Sequence, residues 1–277
     1  MLQPKRVTIK QMINRSQPFP KVLLAKVIST LLLVALPAVA QQQQEPPATT
    51  PSNEQSKAGD KNNADQKAEE NSRTGTSNDR LFYTLPNFLT VQNAGQLPPL
   101  TSAQKFKVVA RSSFDYVEYP WYGALAGISQ AENSEPGYGQ GAAGYGKRYG
   151  AAFADGTIEN FMTGAILPSL LRQDPRFYQS GSGTFWHRTG YAVSRIFVTR
   201  TDSGGEQFNY SEIFGSAIAA GISTYSYHPR ADQTLPNTLS VWGTQVGYDM
   251  LTIVVKEFWP DIRRKISHKT QRGVATP

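Results

Sequence analysis

Residues 41–80 contain no aromatic residue and no Ile, Leu, Val or Met. Such a stretch cannot offset the entropy of ordering by burying apolar surface, so it predicts a disordered polar linker. Whatever folds must therefore be built from residue 81 onward. The composition turns over at Leu81, where Phe82, Tyr83, Leu85, Phe88 and Leu89 come in quick succession. Pro86, Pro98 and Pro99 predict an extended, Pro-containing arm over 81–100. Residues 101–268 are the length of one helical domain, and 269–277 read as a disordered tail.

The start of the chain reads as a secretory signal peptide over 1–40. Lys5, Arg6, Lys10, Arg15, Lys21 and Lys26 precede the 14-residue apolar run Val27 to Ala40. That run is short beside the ~20 residues of a spanning helix. An uncleaved anchor is the alternative, but the small-x-small pattern Ala38-Val39-Ala40 favours cleavage after Ala40. The chain is then exported, to the periplasm or outer membrane of a bacterium.

The signal also accounts for the net charge of +7, which comes from 28 Lys+Arg against 21 Asp+Glu. Six of the 28 and none of the 21 lie in residues 1–40, so the remainder carries +1. No clustered basic face is left to predict nucleic-acid binding. The absence of cysteine excludes disulfides, thiolate metal sites, a Cys nucleophile and Cys lipidation.

The apolar spacing predicts a mainly α, compact helical bundle. Phe106, Val109, Ala110, Ser113, Phe114 and Val117 recur at i, i+3, i+4 after a cap at Ser102. Pro120 can open a second helix. A third runs from Gly137 through Arg172, with a kink at Pro168. Residues 183–200 read as helix or strand. Ile213, Phe214, Ala217, Ile218, Gly221, Ile222 and Tyr225 share one side of a helix capped by Asn209 or Ser211. Gly243, Val246, Gly247, Met250, Leu251, Val254 and Phe258 form the clearest stripe, which Pro260 should break or kink before a short basic helix. The alternative is a small outer-membrane β-barrel, with a hairpin about Asp202-Ser203-Gly204-Gly205.

Small residues recur at one-turn spacing: Gly123/Gly127, Gly137/Gly141, Gly146/Gly150 and Gly243/Gly247. Such stripes let helices approach closely, in soluble bundles as in membranes. No segment after the signal offers ~20 uninterrupted apolar residues, and Glu159, Arg172, Glu212, Asp249 and Lys256 fall in or beside the apolar helices. The pattern favours association with a membrane over spanning it. Trp259 followed by Arg263, Arg264 and Lys265 is a candidate membrane-surface patch. The plain alternative is a solvated helix end whose cations meet its dipole.

Familiar chemistry is mostly excluded. Gly139-Gln140-Gly141-Ala142-Ala143-Gly144 is a literal GxGxxG, but no apolar strand precedes it, so it predicts no dinucleotide site and no cofactor. His187, His228 and His268 have no metal-ligand spacing, which predicts no metal. Asp155 and Glu159 stand at i, i+4, and such a pair either does acid/base work or meets arginines. Arg148, Arg188 and Arg195 are the arginines available, so a structural ion pair is expected. Should the chain be catalytic, Asp155, Glu159, His187 and Arg188 are the candidates.

Ser194 to Asp202, "SRIFVTRTD", faintly resembles the Ser-Arg motif of phosphatidate-phosphatase-like enzymes. Arg200 stands where their nucleophilic His would be sought, so no role transfers. "FNYSEIFGSAIAAGISTYSYHP" with "NTLSVWGTQVGYDMLTIVVKEFWPDIRRK" resembles an uncharacterised family of secreted bacterial cell-envelope proteins, over roughly Leu81 to Lys269. That resemblance implies an envelope location and nothing catalytic. The sequence thus reads as a non-enzymatic envelope protein, whose partner is a membrane surface or another envelope protein and not nucleic acid. The alternative is an envelope hydrolase acting on a lipid or cell-wall substrate.

Overall fold

A computed structural model describes residues 75–92 and 97–274, with side chains described through 266. The expected signal peptide, and the linker up to residue 74, lie outside the described residues. The described chain is mainly helical. Helix α1 spans Ser102–Ser113 and is capped one residue earlier than expected. Thr101 Oγ1 accepts from the Gln104 amide while Gln104 Oε1 accepts from the Thr101 amide, a reciprocal capping box. Helix α2 spans Glu118–Glu132 and closes on Asn133 in the left-handed region. A 3-10 turn, Pro136–Tyr138, leads into α3, Gly141–Phe161. The kink expected at Pro168 takes the form of a π-helical turn, Met162–Ile166, before the short α4, Leu167–Leu171. A π turn reroutes the backbone ladder where proline cannot donate. Helix α5 spans Phe185–Phe197, α6 Tyr210–Ser226 and α7 Leu235–Val274.

The strands are short and flank the helices. β1 (Arg80–Leu81) pairs antiparallel with β2 (Leu85–Pro86). β3 (Thr90–Val91) pairs in parallel with β5 (Phe177–Tyr178). β4 (Gln173–Asp174), β6 (Val198–Thr201) and β7 (Glu206–Phe208) form an antiparallel sheet. The barrel alternative fails because strands of two to four residues cannot close one. One part of it is realised: β6 and β7 make the hairpin about Asp202–Gly205. The ambiguous 183–200 segment is both elements, α5 running straight into β6. The arm belongs to the core, since Leu81, Phe88, Val91 and Leu100 are all buried. Phe88 packs with Val108, Val109 and Ala165, and Arg80 reaches Asp115 through two hydrogen bonds.

Pro260 does not break its helix. It lies inside the continuous 40-residue α7, which also runs past the boundary expected at 268. Proline removes the amide that would bond the carbonyl four residues back, at Lys256. Gln179 Nε2 donates to that carbonyl instead, and Arg188 Nη2 donates to the next one, Glu257 O, at 2.6 Å. Side chains from the β5–α5 region thus replace the missing rung. Gln179→Leu should cost ~1–3 kcal/mol by orphaning a buried acceptor. In a Pro260→Ala background, whose new amide can bond Lys256 O, the same change should cost little. Equal urea-midpoint shifts in both backgrounds would refute the assignment.

The small-residue contacts exist at some of the expected glycines, a Cβ at Gly137 standing 2.4 Å from Pro229 and one at Gly123 3.3 Å from Tyr145 Oη, and at others besides. A Cβ at Gly156 would stand 1.9 Å from Tyr122 Oη, one at Gly164 2.7 Å from Val109, and one at Gly215 3.1 Å from Thr163. These are where α2, α1 and α6 press on α3 and its π turn. Gly127, Gly146, Gly150 and Gly243 have nothing within 4 Å of that position. The GxGxxG is preceded by the 3-10 turn, not a strand. Its Gly139 and Gly141 take positive φ (78° and 73°), and a Cβ at Gly144 would meet the Gly139 carbonyl at 2.4 Å. That packing carries the chain into α3.

Candidate functional site

Helix α6 is amphipathic in the reverse sense. Its periodic apolar residues do share one side, and that side faces outward: Tyr210 45%, Phe214 53%, Ile218 44%, Ile222 37% and Tyr225 53% exposed. Its inner side is Ser211, Gly215, Ser216, Ala219, Ala220, Ser223 and Thr224, all buried. Its partners on α3, the π turn and α7 meet that small, polar side. Trp242 Nε1 of α7 donates to Ile213 O and Ser216 Oγ, both at 3.1 Å. The π turn packs on Gly215, and Ser223 donates to Asp155 of α3. Past the helix start, Phe208 stacks edge-on to Tyr210 at 5.1 Å, and Tyr210 lies flat against Phe214 at 6.1 Å. Phe197 and Phe208 are exposed as well. A water-facing helix normally carries the opposite arrangement.

Behind that helix the bundle interior is ionisable. Among the described residues Asp155 meets no arginine, contrary to the expected ion pair. Its carboxylate accepts from the hydroxyls of Ser223 and Tyr227, and Oδ2 lies 3.3 Å from His228 Nε2. The other ring nitrogen, Nδ1, sits at ion-pair distance from Glu135, 2.9 Å. Burial pushes the His228 pKa down, but hydrogen bonds and charge from Asp155 and Glu135 outweigh it and lift the value to about 10. The imidazole is therefore a buried cation held between two acids. Ser223 donates to Asp155 and not to the imidazole, so the three do not form a nucleophile–base pair.

Glu159, one turn along α3, also meets no arginine. Burial, then the charges of Asp249 and Asp155, push its pKa up to about 9. Glu212 on α6 and Asp249 on α7 are raised by burial too, and a hydrogen-bond interaction between them favours the protonated Glu212. Lys256, two turns further along α7, is lowered by burial and opposed by the charges of Asp249 and Glu212. Among the described residues Glu159 Oε1 and Glu212 Oε1 find no hydrogen-bond partner. Three helices thus bring two neutral carboxyls, a third acid and a lysine into one interior cluster. Like-charged carboxyls at close range resist simultaneous ionisation.

The arginines expected for Asp155 and Glu159 are engaged elsewhere. Arg148, 2% exposed, caps the turn before α3 through Gly139 O and Glu135 O. Arg195 pairs with Glu206, and Arg188 with Glu257 and Asp261. His187 is exposed at the start of α5 beside Gly183. Hence Asp155 and Glu159 do not come together with His187 and Arg188, and the histidine that joins Asp155 is His228. Trp259 is no membrane-surface residue. It is fully buried, against Phe82 at 5.1 Å and Tyr83 at 5.7 Å. Arg263 reaches Asp79, Arg264 reaches Asp261, and Lys265 is exposed.

Among the described residues no helix is long and apolar enough to cross a membrane, and no group of His, Cys, Asp and Glu could hold a metal ion. No protein-family model, no curated protein and no solved structure matches the chain.

Proposed function

We propose that this is a non-enzymatic protein of the bacterial envelope that lies on a membrane surface through the outward face of α6. The reversed amphipathicity of that helix carries the reading. Five large side chains are left about half exposed over one continuous stripe while serines and alanines are buried behind them. Lipid suits the stripe because of its ends. Tyr210 and Tyr225 bracket Phe214, Ile218 and Ile222, and tyrosine is the ring that tolerates an apolar body with a wet tip. A helix lying in the interface plane needs only such a stripe, not a spanning length. Covering the outer halves of these side chains is worth on the order of 5 kcal/mol.

Sedimentation of the purified protein with phospholipid vesicles tests this. Phe214→Asp with Ile218→Asp should weaken partition at least about tenfold, with helix content and melting midpoint retained because neither side chain is in the core. Unchanged partition would refute the reading. Light scattering without lipid covers the rival occupant: a dimer that the same double change disperses would put a second copy on the stripe instead.

A further inference from the structure

Next to the Phe208–Tyr210–Phe214 ladder lies a cavity of about 90 Å³, walled by β4, β5, β6, α5 and the start of α6. Three guanidinium groups line it, each with one face on a tyrosine, and Arg176 is already held by Asp174. Arg195 lies 4.8 Å over the ring of Tyr191, and Arg200 4.0 Å over that of Tyr178. Stacking of this kind leaves the N–H edge of Arg200 available for planar, bidentate recognition of an oxyanion, whereas Arg195 already donates Nη1 to Glu206.

The charges around the cavity do not cancel. Asp174 is saturated by Arg176 Nε and Nη2 and by the Tyr178 hydroxyl at 2.8 Å. Glu206, opposite Arg200 in the β6–β7 register, gives its carboxylate to Arg195 at 2.6 Å. Glu212 also lines the cavity, and burial favours its neutral form. The guanidinium of Arg200 has no hydrogen bond and no ion pair among the described residues. A guanidinium stays charged under all ordinary conditions. Arg200 is thus a cation with no direct hydrogen bond or ion pair among the described residues, its charge met only through space by Glu206 across the β6–β7 ladder, at the wall of a small cavity.

We propose that Arg200, assisted by Arg195, binds the phosphate of a phospholipid headgroup. The site rests on the membrane reading above: Phe197, Phe208 and Tyr210 adjoin the cavity-lining residues Val198, Asn209 and Ser211, so acyl chains beside the aromatic ladder would put a headgroup phosphate within reach of the cavity.

Two measurements separate this site from the apolar face. In calorimetric titration, soluble glycerol 3-phosphate should bind the native protein, and Arg200→Gln should weaken it about tenfold or more. Arg200→Lys, which keeps the charge but loses the fork, should fall between them. The melting midpoint of each variant checks that the sheet is intact. In sedimentation, phosphatidylglycerol vesicles should bind more tightly than phosphate-free monoolein dispersions, and Arg200→Gln should erase the difference. No binding of glycerol 3-phosphate, or equal binding by native and Arg200→Gln proteins, overturns the site even where vesicles still adsorb through α6. Glycerol 3-phosphate binding with no preference between the two lipids overturns the headgroup assignment in favour of a free phosphate ester. Loss of adsorption to both lipids in the Phe214/Ile218 variant, with glycerol 3-phosphate binding retained, is the expected result.

Discussion

Arg188→Met is expected to destabilise the fold by ~3–5 kcal/mol, a loss large enough to leave a domain of ordinary stability partly unfolded. The partner it abandons is Glu257, which has no exposed surface. That carboxylate accepts from Arg188 Nε at 2.8 Å and from the consecutive amides of Ser180 and Gly181 at 2.9 and 3.0 Å. The same guanidinium donates to Asp261 and to Glu257 O, and lies 4.5 Å over the Phe258 ring. One side chain therefore fixes the 180–181 turn, the α5 axis and the stretch of α7 around Pro260. Methionine keeps much of the volume, so the loss is electrostatic and not a cavity. A buried ion left without its counterpart is the costly species, which gives the check its form. Glu257→Gln added to Arg188→Met should recover a substantial part of the stability in urea denaturation, because no charge is then stranded. A single-variant loss below ~1 kcal/mol would mean that the amides alone hold the carboxylate.

Much of this architecture can be read from the chain, and the parts that cannot share a cause. Periodicity locates the face of α6 but does not say whether it turns in or out. That depends on whether neighbours prefer Phe214 and Ile218 or the Ser216–Ala220–Ser223 side, and those neighbours lie in α3 and α7. The Asp155/Glu159 pair is visible as a spacing, and Glu212, Asp249 and Lys256 are visible as charges on apolar helices. Their convergence is not, because it joins three separate helices. Arginines looked like the natural partners by charge alone. Carbonyls and other acids had stronger geometric claims on them, Arg148 serving the turn before α3 and Arg188 serving α7. No spacing marks His228 over His187. The rule that proline breaks a helix describes an isolated helix, and it fails at Pro260 because Gln179, far away in sequence, supplies the donor. The stop–start pattern of caps at Thr101, Thr184 and Asn209 is local chemistry, and for that reason Asn209 is one of the two caps, with Ser211, that the sequence offers for α6.

Glu159→Gln should stabilise the protein at pH 8 by on the order of 2–4 kcal/mol and leave it nearly unchanged at pH 4. Burial, with Asp249 and Asp155 facing it, holds the native carboxyl neutral up to about pH 9, whereas the unfolded chain releases that proton near its ordinary value of 4.5. Between those values the native state binds more protons than the unfolded state, so stability falls as pH rises. His228 acts in the same direction through the opposite charge type. Its pKa is raised from 6.5 to about 10, so the stability it contributes is complete below pH 6.5 and is lost as pH climbs through about 10. Glu118, lifted to about 7 by burial and by Asp115, adds to the decline between 4.5 and 7. Lys256 opposes it below 10.5, because its lowered pKa makes the native state release a proton before the unfolded chain does. The native protein should therefore be most stable in mild acid and weaken steadily towards pH 9. Glutamine mimics the neutral carboxyl at every pH, so the variant's advantage must grow with pH. His228→Gln would instead lower stability most at neutral pH and below, so against the native urea midpoint its deficit should close with rising pH while the Glu159→Gln gain opens. A constant offset between native and Glu159→Gln proteins from pH 4 to 9 would show that Glu159 ionises normally. The interior would then hold a solvated carboxylate in place of the proton-retaining cluster.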